Sequence, residues 1–171
     1  MKIYHNALSE ELLQDCWNEV GKLSKEPVWA SSCLGWEKNL MIGLSGSTLH
    51  TLVPQYNRDR IIESISKYYP DDTEYSFIQY YIWQPNSGIS RHNDEAYNTG
   101  STIYLNERWD KNMGGLFVWE EDNNEIMKTI APKRNMMIMN DKSEYHFVTS
   151  ISPFCNEYRV TIQIWTQKEA L

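Results

Sequence analysis

A short motif near the middle of the chain places two metal-binding side chains two residues apart. His92 and Asp94 flank a single residue, Asn93. On an extended backbone, side chains at positions i and i+2 point to the same face. His92 and Asp94 can therefore reach a common ion. His146 would complete a set of two histidines and one carboxylate if a distant strand brought it alongside.

The ligand set His92, Asp94 and His146 points to a particular chemistry. Two histidines and one carboxylate leave adjacent coordination positions open, which is typical of non-haem Fe(II) oxygenases. The same set could hold a catalytic zinc ion for hydrolysis. A His-x-Asp match alone is weak evidence, because a surface histidine near a loop aspartate has the same sequence.

A second pair of side chains strengthens the functional interpretation. Arg159 opens the last apolar segment, and Thr161 lies two residues further on, facing the same way. A guanidinium beside a hydroxyl suits a carboxylate ligand. The alternative for Arg159 is a surface arginine at a strand edge.

The first part of the chain is expected to be helical. Ser9 can cap a first helix, whose apolar residues recur at helical spacing. A second helix is predicted over residues 59–69, ended by Pro70. Residues 28–54 should form one or two short strands and a loop.

From residue 74 onward, β-branched and aromatic segments alternate with turn residues. They predict strands over residues 75–83, 101–106, 116–119, 126–130, 135–139, 145–151 and 159–165. Two helices followed by seven or eight short strands predict a mainly β, α+β fold. We expect a jelly roll or similar double-sheet sandwich, with the N-terminal helices packed on one sheet. Its interior could bring the two histidines together.

Composition is that of a globular protein. The 171 residues suit one domain, with residues 1–73 as a helical support region and residues 74–167 as the jelly-roll core. The net charge of −7 makes a nucleic-acid partner unlikely. Three separate cysteines, Cys16, Cys33 and Cys155, suggest reduced thiols and a cytoplasmic location. We expect neither secretion nor a membrane partner, since no long apolar run occurs.

Several motifs follow one order along residues 74–167. They are a strand, His92-x-Asp94, Tyr104-Leu105-Asn106 with Trp109-Asp110, Gly114-Gly115, Pro132, His146-x-Val148 and Arg159. This order resembles that of the 2-oxoglutarate- and Fe(II)-dependent oxygenases, especially the prolyl 4-hydroxylase branch. The segment from Tyr104 to Asp110 is most similar to prolyl hydroxylases acting on the hypoxia-inducible transcription factor.

The resemblance implies a double-stranded β-helix with Fe(II) inside one open end. His92, Asp94 and His146 would bind the iron, and O2 would take an open position. The cosubstrate 2-oxoglutarate would be converted to succinate and CO2 while a substrate C–H bond is hydroxylated. Ascorbate is a further candidate cofactor.

The resemblance also implies how the cosubstrate is held. Its distal carboxylate would pair with Arg159, aided by the hydroxyl groups of Tyr104 and Thr161. Many prolyl hydroxylases have a further cosubstrate-binding tyrosine shortly before the first metal ligand, where this chain has Trp83. Either Tyr81 makes that contact through a shifted register, or the contact is missing.

Substrate identity is the least defined expectation. By family likeness a peptidyl proline in a peptide or protein comes first, and a free amino acid or other small-molecule substrate comes second. Arg91, Tyr97, Arg108 and Trp109 are candidate substrate contacts at the mouth of the site. The alternatives from other classes are a zinc hydrolase and a metal-free jelly-roll binding module. Nothing in the sequence indicates the oligomeric state.

Overall fold

The computed structural model describes residues 1–121 and 125–167. The strands are β1 (Lys2–His5), β2 (Ala30–Ser31), β3 (Thr48–Leu52), β4 (Tyr75–Trp83), β5 (Ile89–His92), β6 (Thr99–Tyr104), β7 (Phe117–Glu121), β8 (Ile126–Ile130), β9 (Met136–Asn140), β10 (His146–Val148) and β11 (Arg159–Thr166). The α-helices are α1 (Glu10–Leu23) and α2 (Gln55–Ile65). Short 3-10 helices cover Ser32–Leu34, Lys38–Met41, Ser66–Tyr68 and Lys111–Met113.

The strands form two antiparallel sheets packed face to face. The larger sheet has the order β1-β9-β6-β11-β4-β3-β2, and the smaller has the order β5-β10-β7-β8. Side chains from both sheets share one buried cluster, while α1 and α2 pack on the other face of the larger sheet. The predicted mainly β jelly roll, with N-terminal helices on one sheet, is confirmed.

Helix α1 begins where the sequence predicts. The Ser9 hydroxyl accepts a hydrogen bond from the Leu12 backbone N–H at 3.2 Å. Glu10 and Glu11 lie in the first turn, where carboxylates are stabilised by the positive end of the helix dipole. The residues that α1 buries against the sheet are Leu12, Leu13, Cys16 and Val20.

Helix α2 begins earlier than the predicted start at residue 59. Pro54 occupies the N-cap position, and the polar first turn shows no apolar spacing before Ile61. After Ile65 the chain tightens into a 3-10 helix and then reaches Pro70. In the described ranges, no helix has the length and apolar character needed to cross a membrane.

Most strands lie close to their predicted positions. β4 and β8 match residues 75–83 and 126–130. The strand predicted over residues 145–151 is shorter in the structure, where β10 covers His146–Val148. The N–H groups of Thr149 and Ile151 donate instead to the carbonyls of Leu116 and Ser87, which lie outside the paired strands. The sequence pattern does not predict β1 or β5, since four residues are too few to show a period.

The two faces of β11 serve different purposes. Val160, Ile162 and Ile164 pack toward the helices. The alternate residues Arg159 and Thr161 therefore face the smaller sheet. Their cross-strand neighbours on β4 and β6 are Trp83, Tyr81 and Tyr104. Polar and aromatic groups are thus gathered between the sheets.

Candidate metal centre

The fold brings the three predicted metal ligands together. His92 ends β5, His146 begins β10, and the two are direct cross-strand neighbours. Ligand atoms of His92, Asp94 and His146 all lie within 4.8 Å of one another. Asp94 Oδ1 lies 3.8 Å from His92 Nε2, and Asp94 Oδ2 lies 3.6 Å from His146 Nε2. These spacings allow one ion to bind all three groups, with bonds of about 2.0–2.2 Å.

Backbone carbonyls determine which nitrogen of each histidine faces the centre. His92 Nδ1 lies 2.7 Å from the Ser90 carbonyl oxygen, and His146 Nδ1 lies 2.9 Å from that of Glu144. Because a carbonyl only accepts, each Nδ1 carries a proton and each Nε2 presents its lone pair. Burial, and then the neighbouring His146, lower the pKa of His92, which favours the neutral, ligating form.

Two further contacts hold His146 in place. Asn140 binds both backbone groups of Glu144, accepting from its N–H and donating to its carbonyl, each at 3.0 Å. That carbonyl is the one that orients the imidazole of His146. The ring of Phe117 stacks on His146 with centroids 5.2 Å apart. Such outer contacts fix the orientation of metal-binding histidines.

Asp94 depends on the absence of a side chain at position 100. A Cβ added to Gly100 on β6 would lie 2.3 Å from Asp94 Oδ2. No relaxed structure tolerates so short a contact between unbonded carbon and oxygen. Glycine at this position therefore lets the carboxylate approach the larger sheet.

Arg159 is a buried cation with no acidic partner in the described part of the chain. It is 0 % exposed, and its guanidinium carbon lies 4.9 Å from the Trp83 ring centre. Nη2 donates to the Tyr104 hydroxyl at 3.4 Å, while Nε and Nη1 have no hydrogen-bond partner among residues 1–121 and 125–167. Because an unpaired buried charge is costly, this arrangement fits an anionic ligand.

Two hydroxyl groups accompany the Arg159 guanidinium. That of Tyr104 contacts it directly, and that of Thr161 lies two residues further along β11. Burial raises the pKa of Tyr104, so its hydroxyl keeps a proton that it can donate. The Thr161 hydroxyl oxygen accepts from Trp83 Nε1 at 3.1 Å and from Gln163 Nε2 at 3.0 Å. Its own proton is then left to donate. The predicted group of Arg159, Tyr104 and Thr161 is therefore assembled as a set of donors suited to a carboxylate.

Tyr81 and Trp83 both lie on β4 but make different contacts. Burial raises the pKa of Tyr81 to about 12, with the nearby Ser32 hydroxyl opposing that rise. Tyr81 lines the cavity, and its role as a cosubstrate contact stays a prediction. Trp83 contacts both Arg159 and Thr161.

A cavity of about 840 Å³ opens onto the metal ligands. Its aromatic lining consists of Trp36, Phe77, Tyr81, Trp83, Tyr97, Phe117, Tyr145 and Trp165. Arg159, Tyr104 and Thr161 are not part of this lining. Trp83 both lines the cavity and contacts Arg159, so the guanidinium lies next to the cavity wall.

The four residues proposed for the mouth fall into two groups. Arg91 and Tyr97 line the cavity, and Arg91 makes a bidentate ion pair with Glu120 at 2.5 and 2.8 Å. Arg108 and Trp109 do not line it. The Trp109 indole N–H instead donates to the Gly114 carbonyl at 2.9 Å, which is a structural contact.

Sequence reasoning missed several residues that support the site. Gln163 continues the polar alternation of Arg159 and Thr161 along β11, so the pattern that could have identified it was present. Asn106 belongs to the Tyr104-Leu105-Asn106 motif, but its role, like that of Asn140, depends on backbone partners that are recognised only once the chain is folded.

Comparisons with known proteins agree with this geometry. The family model of the 2OG-Fe(II) oxygenase superfamily matches residues 75–167. No curated protein matches the chain.

Solved structures with the same fold include several oxygenases. A Pseudomonas putida prolyl-4-hydroxylase superposes with a TM-score of 0.74 at 14% identity, covering 98% of this chain and 92% of that one. A Trichoplax adhaerens prolyl hydroxylase, solved with a hypoxia-inducible-factor peptide, gives 0.74 at 15% identity, covering 98% and 83%. The epimerase SnoN, solved with Fe3+, α-ketoglutarate and nogalamycin RO, gives 0.69 at 9% identity, covering 97% and 78%.

The family match covers the whole segment that carries the metal ligands and Arg159. Members use Fe(II) and 2-oxoglutarate, and the His-Asp-His cluster together with the unpaired guanidinium fits both. The chain belongs to the 2OG-Fe(II) oxygenase superfamily and is an iron- and 2-oxoglutarate-dependent oxygenase.

Proposed function

We propose that this oxygenase hydroxylates a C–H bond of a peptidyl proline and converts 2-oxoglutarate to succinate and CO2. The observation that carries the proposal is the open, ring-lined cavity directly above the metal ligands. The structural likeness to two prolyl hydroxylases supports the choice of proline.

Separate groups of residues bind the metal and the cosubstrate in this reaction. When bound, Fe(II) supplies the activation of dioxygen and the oxidising power. His92, Asp94 and His146 would hold the metal, a ligand set that leaves positions for the cosubstrate and O2. Arg159 and Tyr104 donate hydrogen bonds to the distal carboxylate, which fixes the orientation of the cosubstrate.

Aromatic rings line the cavity on both sides of the metal ligands. Phe117 and Trp83 lie on facing sheets beside the metal ligands. Further out, Tyr97 contacts Phe77 and Trp165, with ring centroids 6.5 Å and 5.9 Å apart. Apolar ring faces of this kind can pack against a pyrrolidine ring.

A small-molecule substrate, such as a free amino acid, is the second candidate. The cavity volume of about 840 Å³ lies within the usual range for small-molecule sites. The likeness to SnoN, whose structure contains nogalamycin RO, also supports this alternative. The zinc-hydrolase and metal-free alternatives do not account for the family membership.

A turnover screen tests the proposal. Iron-loaded protein and 2-oxoglutarate are incubated with proline-containing peptides, matched alanine peptides and free amino acids, with and without ascorbate. Succinate and the mass of the product are measured. We expect succinate formation coupled to the addition of one oxygen atom to proline peptides. Coupled turnover with free amino acids alone would reject the peptidyl substrate.

A further inference from the structure

We infer that Asn106 is a positioning residue, which sets Arg159 for the distal carboxylate of the cosubstrate. Asn106 Nδ2 donates to the Tyr158 carbonyl at 2.8 Å, and Oδ1 accepts from the Val160 N–H at 2.7 Å. The amide therefore binds the backbone on both sides of Arg159. This inference rests on the proposed role of Arg159 in cosubstrate binding.

The location of Asn106 explains why such support is needed. The pairing of β11 with β6 ends at Thr161 and Tyr104. Arg159 lies beyond that point and keeps a strand partner on one side only, Trp83 of β4. On the other side, the Leu105 N–H donates to the Val160 carbonyl at 3.0 Å, and the Asn106 side chain supplies the next two bonds, to Tyr158 and Val160.

The chemistry of the two partners fixes the orientation of the amide. A backbone carbonyl only accepts and a backbone N–H only donates, so Nδ2 must face Tyr158 and Oδ1 must face Val160. A carboxylate of the same shape would place an acceptor against the Tyr158 carbonyl. Asn106→Asp therefore removes one bond and introduces a repulsion with little change in volume.

Arg159 is sensitive to such a change. Its planar group must meet a carboxylate at a fixed angle, while being confined by the Trp83 and Tyr104 rings at 4.9 and 5.0 Å. A backbone shift at residue 159 would misdirect the donors without moving the metal ligands.

Asn135 offers a matched control. Like Asn106 it is 5% exposed. Its amide also binds a backbone N–H and a backbone carbonyl, both of Leu8, at 2.9 and 2.8 Å. Asn135→Asp makes the same chemical change, but the side chain at this position contacts the N-terminal segment and not the backbone on either side of Arg159.

Anaerobic titration tests the inference without the substrate that is hydroxylated. Fe(II)-loaded protein is titrated with 2-oxoglutarate and with 2-oxopentanoate, which has the same carbon chain but no distal carboxylate. The visible charge-transfer band and the melting temperature are recorded. We expect Asn106→Asp to weaken 2-oxoglutarate binding by about tenfold to a hundredfold and to leave 2-oxopentanoate binding unchanged. Asn106→Ala, which adds no charge, should act in the same direction, and Asn135→Asp should keep the wild-type preference.

Each other outcome has a definite meaning. If both Asn106 variants keep the wild-type preference for 2-oxoglutarate, the inference is wrong while the cosubstrate site stands. If Asn106→Asp and Asn135→Asp weaken both ligands equally, Asn106 has only a general structural role and the inference is also wrong. If the wild-type protein binds both 2-oxo acids equally well, Arg159 does not bind the distal carboxylate. The inference about Asn106 is then wrong as well.

Discussion

His92 and His146 lie opposite each other on neighbouring antiparallel strands, with ring centroids 4.3 Å apart. The pairing contains an irregularity, because Val148 is opposite Ile89 while His146 is opposite His92. β5 thus has one more residue than β10 between these pairs. Such bulges redirect side chains and are common beside active sites. Without the extra residue, the neighbouring arginine would stand opposite His146.

Gly100→Ala should disrupt metal binding. The new Cβ would lie 2.3 Å from Asp94 Oδ2, so the carboxylate must leave its position. We expect weaker binding of Fe(II), or of Co(II) as a probe, by about tenfold or more, measured by equilibrium titration. Gly21→Ala in α1 is the control: its Cβ meets nothing within 4 Å, and the change should stabilise the protein by about 0.5–1 kcal/mol. Unchanged metal affinity in Gly100→Ala would contradict the described position of Asp94.

Arg159→Met should separate stability from cosubstrate binding. Replacing an unpaired buried guanidinium by an apolar chain should raise the free energy of unfolding without cosubstrate by about 1–3 kcal/mol. The rise in melting temperature caused by 2-oxoglutarate should disappear. Arg60→Met, which removes the ion pair between Arg60 of α2 and Asp15 of α1, should keep that ligand response. A normal response to 2-oxoglutarate in Arg159→Met would refute the anchoring role.

The Arg91–Glu120 pair should give a pH-dependent contribution to stability. Hydrogen bonds from Arg91 hold the pKa of Glu120 below its ordinary value. A lowered folded-state pKa stabilises the folded protein above the unfolded pKa of about 4.3, and this stabilisation is lost as the pH falls through the folded pKa. Glu120→Gln should therefore lower the melting temperature at neutral pH, with the difference shrinking below about pH 4. A difference that stayed constant with pH would argue against the pair, and Glu26→Gln provides an exposed control.

The sequence correctly predicted features that depend on residues close together in the chain, such as β4 and the pair of His92 and Asp94. The run of β-branched and aromatic residues over 75–83 predicted β4, and the spacing of His92 and Asp94 identified two ligands that the structure brings beside His146. The role of Trp83 beside Arg159 was missed, because it follows from pairing between distant strands. The start of α2 was wrong for a related reason: its first turn is mainly polar and has no apolar period to detect.

The most direct test of the account is the anaerobic visible spectrum of the protein with Fe(II) and 2-oxoglutarate. If His92, Asp94 and His146 hold iron and the cosubstrate binds it, a weak charge-transfer band appears on adding 2-oxoglutarate and is absent in Asp94→Ala. A protein shown to be fully loaded with iron that gives no such band would contradict the assignment of this centre.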